Sequence, residues 1–474
     1  MSSLGLAPLG LAPLGPTPLG LAPLGLLPAG LPAEWLPLVR LFFLLLAFAV
    51  TWAGVRLRRP RKLELQAALV AAGLQLVLAV CLDAAGQAAG LWRYAVSDGL
   101  VLGVPLDLHL GWALPWGVLF VLWAPRPLGA AAGYALLWWA VTVTYDALLA
   151  PQAQALVVRG AGPAWLLGDG VMIALLLAAA LALYHAVRRS GEVRERGGPA
   201  DAARRGAAWR AGLYLLVFGA LSFGLLPHLI LSLSGRSTWP LPAMSPALRW
   251  LILTYIGLCL LWPLWAVREF VAAGGTPLPL DPPLGLVVGG PYGFVRNPMQ
   301  LGATAAMVGV AALYRSWALL AYAVDLVLLS QLLFQRHEET ELRQRFGPAY
   351  EHYRAAVRCW LPRLYPYRAA AAPPLTLGYD AGCPACGEAV AWLQRRGGLP
   401  LIAQALPGPA AGFRVGEPQP RGGSVVHEGL DAWLALLPRG PLYLAWLTPL
   451  VLLPPVRALL RLCYRAAAER RPRA

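Results

Sequence analysis

Charge is scarce in this chain. Asp, Glu, Lys and Arg make up 13% of 474 residues while 58% are hydrophobic, a balance foreign to soluble domains and ordinary in a multi-span membrane protein. Acidic residues are the scarcer sign, 23 against 39 basic ones. The surplus Arg could serve a nucleic acid, but no recognition motif accompanies it. Its clusters sit just outside apolar runs, where they act as topology signals, so no nucleic-acid partner is expected. Cysteine is sparse too. Cys81 and Cys259 lie inside apolar runs, Cys359 and Cys463 stand alone, and Cys383 with Cys386 forms the one close pair, which excludes a secreted disulfide framework. That pair lacks the second Cys pair of a zinc site, with His427 the only other ligand type nearby, and no metal is expected.

Long apolar runs are what the chain does have. Before them, residues 4–28 repeat a Leu-Gly-Leu-Ala-Pro pentad. Pro every few residues forbids a stable helix, so residues 1–35 read as low-complexity and disordered, without the basic start of a signal peptide; a misassigned start codon would account for them. Runs long enough to span follow at about 36–56, 63–83, 108–124, 128–149 and 165–187, then 211–234 and 249–269, with a hairpin at 301–335. Arg56, Arg58, Arg59, Arg61 and Lys62 lie between the first two, and seven Arg between Arg188 and Arg210 follow the fifth. The positive-inside bias puts the N-terminus outside and residues 188–210 in the cytoplasm. Residues 36–190 form a first membrane module of unknown role, 191–210 a basic linker, and 211–367 a second module.

The second module carries the most ordered pattern. It opens with Gly290-Pro291-Tyr292-Gly293-Phe294-Val295-Arg296-Asn297-Pro298-Met299-Gln300-Leu301-Gly302. After the hairpin it resumes with Glu338-Glu339-Thr340-Glu341-Leu342, Phe346-Gly347, Tyr350 and Tyr353, and closes at Pro362-Arg363. Arg, Asn and Glu at a bilayer boundary are expensive without partners, so the set is a functional-site candidate. Counting spans brings both halves to the cytoplasmic face. Taken singly, each residue has a bland alternative. The glutamates could pair with Arg336, Arg343 and Arg345 on a solvated helix face, Arg296 could be an interface anchor, and the tyrosines could belong to an aromatic belt.

The pattern resembles the isoprenylcysteine carboxyl methyltransferase and phospholipid methyltransferase family over about residues 250–365, departing from it at Gln300, where the family usually has Tyr. The resemblance implies S-adenosylmethionine (SAM) as cofactor and methyl transfer by in-line displacement, for which the protein aligns the reactants and excludes water. Asn297, Pro298, Glu338 and Glu339 are carried over as cofactor residues. Glu338 and Glu339 would meet the ammonium or ribose, and Arg296 would fork onto the carboxylate. Asn297 is biased away from helix by Pro298. Tyr292, Tyr350 and Tyr353 offer aromatic faces and Gly302, like Gly290, a close backbone approach. The acceptor class is lipophilic or a small thiol or carboxylate. Related membrane reductases share a similar hairpin and use NADPH, which keeps another reaction class open.

Three pieces of the first module, Trp92-Arg93-Tyr94, Gly103 to Asp107 and Tyr145-Asp146, faintly resemble integral-membrane carotenoid cyclases and hydratases; the simpler expectation is that Asp107 and Asp146 are helix-end residues facing water. His228 reads as a satisfied bundle-interior histidine.

Past Pro373-Pro374, Leu375 to Asp380 reads as a strand, Cys383-Pro384-Ala385-Cys386 as the following turn and Glu388 to Arg396 as a helix. This is the thioredoxin-like arrangement, with Cys383 the attacking thiolate and Cys386 its resolving partner. Asp380-x-x-Cys383-x-x-Cys386 resembles the DCC family of thiol–disulfide oxidoreductases over about 375–470. That resemblance adds Asp380 to the site, implies a dithiol protein partner, and makes the apolar run at 441–460 domain core or a membrane-surface helix. The fold expected is a polytopic α-helical protein of about nine transmembrane helices in a bacterial-type inner membrane, carrying a cytoplasmic C-terminal α/β thioredoxin-like domain. The alternative is a membrane-anchored thiol–disulfide oxidoreductase whose methyltransferase-like module is non-catalytic and only binds a lipid or partner.

Overall fold

The computed structural model describes residues 36–95, 100–125, 128–149, 157–160, 162–195, 200–236, 241–276, 283, 285–331, 336–368, 374–380, 384–396, 401–406, 413–418 and 424–469. Its first module is a bundle around α2 (Lys62–Ala88), with α1 (Leu36–Arg58), α3 (Leu106–Trp123), α4 (Leu128–Leu149) and α5 (Ala164–Glu195). Alanines 67, 68, 71 and 72 of α2 pack against Val118, Phe120 and Val121 of α3 and Ile173, Leu177 and Ala180 of α5. Side chains this small let three helices approach closely where lipid supplies no hydrophobic drive between them. In contrast, α1 leaves Leu38, Leu41, Phe42 and Leu45 exposed among the described residues, an apolar face suited to lipid.

One end of this bundle holds a buried polar knot. Asp83 is fully buried, and its carboxylate receives the Trp92 indole N–H, the Tyr94 hydroxyl at 2.5 Å and His109 Nε2 at 2.7 Å. The other ring nitrogen of His109 lies 3.0 Å from the Pro105 carbonyl. Asp107, expected to face water, instead pairs with Arg40 of α1, whose Nε donates to it at 2.8 Å. Inside a membrane a partner half a module away is the cheaper solution for a carboxylate. His228 accepts the Leu102 amide at 3.3 Å. The side chains of Tyr145 and Asp146 lie outside the described residues.

The second module begins with α6 (Ala200–Gly219), which continues through a π-helical stretch, Ala220–Leu225, into Leu226–Leu233. Then come α7 (Pro246–Ala272), α8 (Pro298–Tyr314) and α9 (Trp317–Leu329). Ser245 caps α7 by accepting the Leu248 amide. Between α8 and α9 the turn is two residues: Arg315 takes a left-handed φ of 50°, and Ser316 accepts the Leu319 amide. Among the described residues six helices are long and apolar enough to cross a membrane, or seven if the bent pair near the C-terminus counts as one span. The shorter apolar helices 129–144, 298–314 and 317–329 occupy the other expected runs.

Two amphipathic helices, α10 (Arg336–Phe346) and α11 (Pro348–Ala356), follow α9. The C-terminal domain is a four-stranded sheet of β1 (Leu375–Asp380), β2 (Leu401–Leu406), β3 (Arg414–Pro418) and β4 (Ser424–Glu428) in the order β2-β1-β3-β4. β1 and β2 pair in parallel, Leu375 opposite Leu401, across the connecting α12 (Pro384–Arg396), and the other pairings are antiparallel. Leu375, Leu377 and Val415 of the sheet bury Val390 and Leu393 of α12. Phe413 stacks on Trp433 of α13 (Leu430–Leu436) at 4.2 Å. This mixed α/β layer is what a thioredoxin-like domain requires.

Candidate active site

Two segments far apart in sequence, 293–297 and 358–367, are zipped together at one end of α7 and α8. Backbone amides of Arg296 and Asn297 donate to the carbonyls of Arg358 and Cys359, and those of Arg363 and Tyr367 to Phe294 and Gly293, at 2.7–3.3 Å. Gly290 makes this fold possible. Its φ is 57°, and a Cβ there would meet the Glu269 side chain at 2.7 Å. Asn297 lies just before the first turn of α8 with φ −116° and ψ 59°, outside the helical region as Pro298 dictates.

Over this seam lies a cavity lined by Tyr292, Arg296, Asn297, Glu338, Glu339, Tyr350 and Tyr353. Seven of the nine residues expected at a cofactor thus share one wall-and-floor arrangement. Pro298 and Gly302 are not among the lining residues. Pro298 is buried as the first residue of α8. A Cβ on Gly302 would fall 2.4 Å from Pro263 Cδ and 2.7 Å from the Cys259 carbonyl, so this glycine serves the α7–α8 crossing, as Gly309 does against Ile256 one heptad on. Replacing Gly302 with Ala forces backbone apart and is expected to destabilise by about 1–3 kcal/mol, read as a lower Tm in detergent, with cofactor affinity weakened less than by substitutions in the cavity.

The side chains divide by what engages them. Arg296 Nη1 donates to Glu339 at 2.8 Å and to the Tyr350 hydroxyl at 3.3 Å, while Nη2 meets Cys359 Sγ. The fork expected for a cofactor carboxylate is therefore occupied by the protein's own groups. Glu339 is further approached by Arg354 at 3.6 Å and Arg343 at 3.9 Å, and Arg343 reaches Glu351 at 2.9 Å. This outer lattice is the solvated-face alternative realised on one side of α10 only. Tyr353 donates to the Tyr292 carbonyl at 2.9 Å, bracing α11 against the first half of the pattern.

Two polar groups face the cavity differently. The Tyr292 hydroxyl is buried without a hydrogen-bond partner among the described residues. Burial, then the charges of Tyr353, Glu338 and Glu269, hold its pKa well above the ordinary tyrosine range. Burial, followed by the charge of Glu341, pushes the Glu338 carboxyl up to about 7. An orphaned hydroxyl and a destabilised carboxylate on one wall suit a cationic, hydrogen-bonding ligand such as SAM. Phe270, Leu286, Val287, Met299, Leu342 and Phe346 make the rest of the lining mostly apolar. Sequence reasoning missed these, along with Arg345 and the lining role of Glu341; Gln300, noted only as a departure from the family pattern, lines the cavity too. Met299 and Gln300 were within reach, being the first turn after Asn297-Pro298. The side chain of His337 lies outside the described residues.

In the C-terminal domain Asp380 ends β1, and Cys386 is buried in the first turn of α12. Cys383 lies outside the described residues. Cys386 thus lies in the first turn of the helix that follows β1.

Comparison with known families matches this division. No curated protein and no solved structure matches the chain. Residues 250–349 match the phospholipid methyltransferase family and residues 377–474 the DCC1-like thiol-disulfide oxidoreductase family, so the chain joins a membrane methyltransferase-like domain to a DCC1-like domain.

Proposed function

We propose that this protein transfers a methyl group from SAM to a lipophilic or small thiol or carboxylate acceptor at the cytoplasmic face of a bacterial-type inner membrane. The observation that carries the reading is the convergence of Tyr292, Asn297, Glu338 and Glu339 on one cavity. Bound there, SAM would supply an electrophilic methyl on a sulfonium. Glu338 and the Tyr292 hydroxyl would hold the cofactor's cationic and hydroxyl groups, and Asn297 would add an amide from the head of α8. Arg296 and Glu339 act as a positioning pair that fixes α10 over the seam. Phe270, Leu286 and Leu342 exclude water and receive the apolar part of the acceptor. A thiolate or carboxylate acceptor needs no general base. The spans at 36–190, the linker at 191–210 and the nine-helix count belong to this same reading.

The C-terminal domain supports a second activity, exchange of a dithiol in a protein partner against Cys383 and Cys386, favoured by the position of Cys386 at the start of α12. Activity separates the two. With methyl-labelled SAM, membrane lipid extract and small thiols as acceptors, Glu338→Ala is expected to abolish label transfer and Cys383→Ser to spare it. The reverse pattern would leave the oxidoreductase domain as the working part.

A further inference from the structure

The last helix of the chain has two faces with different business. In α16 (Pro454–Glu469), Arg457, Arg461 and Arg465 fall along one side, and Leu459, Leu462, Cys463 and Ala466 along the other. The basic side is turned toward the oxidoreductase domain. Arg457 donates to Asp431 of α13 at 2.7 Å, Arg461 lies 3.6 Å from the same carboxylate, and the Tyr464 ring is the nearest neighbour of Gly429. Among the described residues nothing covers the apolar side. Leu459 is 60% and Leu462 63% exposed, and Cys463 and Ala466 are exposed as well.

What covers that face is indicated by the residues before it. Two short helices, α14 (Leu442–Ala445) and α15 (Thr448–Val451), dock on α7: the Trp446 ring lies 4.6 Å from Trp262, and Leu442 and Leu452 join the cluster of Trp262, Trp265 and Phe294. Trp262 lies in the C-terminal half of α7, the end at which Phe270 lines the cavity. One residue on, Pro263 touches Gly302 in the second turn of α8, where the next apolar helix begins. From this anchor the chain turns by 105° into α16, and Tyr443, Trp446, Leu447 and Leu453 leave an exposed apolar track leading to Leu459. Exposed Tyr443 and Trp446, a bend near a right angle and an amphipathic helix with Leu on one side are the features of a segment lying in the interface plane.

We propose that α16 lies on the cytoplasmic leaflet with Leu459, Leu462 and Cys463 among the acyl chains. The phospholipid bilayer is its partner, and the Arg457–Asp431 and Arg461–Asp431 pairs hold the oxidoreductase domain on top of it. The arginines at 465, 470, 471 and 473 give the segment an affinity for anionic headgroups. The domain is thereby held against the membrane face that carries the cavity, not suspended on the linker after Tyr367.

The test uses the full chain reconstituted in vesicles of phosphatidylcholine and phosphatidylglycerol that include a phospholipid with a photoreactive acyl chain. After illumination, peptides are mapped by mass spectrometry. Adducts on Leu459, Leu462 or Cys463 are expected at yields within about threefold of those on the exposed Leu251 of α7, because both would contact the same acyl chains. The Leu459→Lys/Leu462→Lys double variant is expected to lose about tenfold of the α16 adducts, lysine being costly among acyl chains, with α7 yields unchanged. A labelled α7 beside an unlabelled α16 in the unsubstituted protein overturns the proposal. Efficient Cys463–Cys463 cross-linking between copies overturns it too, by assigning the face to a second molecule of this chain.

Discussion

Glu339→Ala is expected to lower the thermal stability of the protein and to end methyl transfer in the same stroke. Glu339 is the acceptor that neutralises Arg296 across 43 residues of sequence. Without it, the Arg296 guanidinium keeps, among the described residues, the Tyr350 hydroxyl and the Cys359 thiol. Breaking a buried ion pair from one side costs about 3–5 kcal/mol. Because the side chains are 13% and 21% exposed, a value nearer about 3 kcal/mol is expected. Arg296→Ala should cost less, about 2 kcal/mol, since Glu339 retains Arg343 and Arg354. The order of the two Tm values in detergent, Glu339→Ala below Arg296→Ala, is the distinguishing readout. Equal, unshifted Tm values would mean that the pair is not holding α10 to the seam.

Glu338 gives the second large effect, and its sign is opposite for stability and for binding. Its pKa is raised to about 7 in the folded protein, above the usual range for a glutamate, so the folded state holds a proton that the unfolded chain has released. This contribution to stability is fully present at low pH and is lost as pH rises through about 7. A bound cation favours the ionised carboxylate and pulls that pKa back down. SAM affinity should therefore rise by about tenfold between pH 6 and pH 8 while the stability of the cofactor-free protein falls. Glu338→Gln is expected to flatten both profiles. It should leave weaker, pH-independent binding in calorimetry and a Tm that no longer declines over this range. Affinity that falls with pH in the unsubstituted protein would contradict this assignment of Glu338.

How much of this could be read from the sequence follows from which interactions are local. The apolar runs announce their helices because lipid demands continuous hydrophobicity, and among the described residues each expected run is largely helical. The cavity wall was legible where backbone chemistry leaves a mark: Asn297 before Pro298, or Glu338 and Glu339 at the head of a helix. Pairings between distant segments leave no such mark. Nothing in the spacing tells that Arg296 meets Glu339 and not a cofactor carboxylate, or that Cys359, apparently alone, touches the same guanidinium. The packing of Gly302 was hidden for a different reason. A glycine that admits a ligand and one that admits a helix look alike in sequence, and only the presence of Pro263 and Cys259 opposite it separates them. Nothing in the sequence singles out Asp83, one acidic residue in an apolar run, although it organises His109, Trp92 and Tyr94. Its donors come from loops and a neighbouring helix that sequence patterns do not place together.

The most direct test of the central claim is calorimetric titration of SAM into the full-length protein in detergent, alongside Asn297→Ala and Glu338→Ala. One saturable site is expected, weakened by about tenfold or more by each substitution, a loss of at least about 1.4 kcal/mol. A folded, unsubstituted protein that takes up no SAM would contradict it, and the cavity at the head of α8 would then have to serve a different ligand.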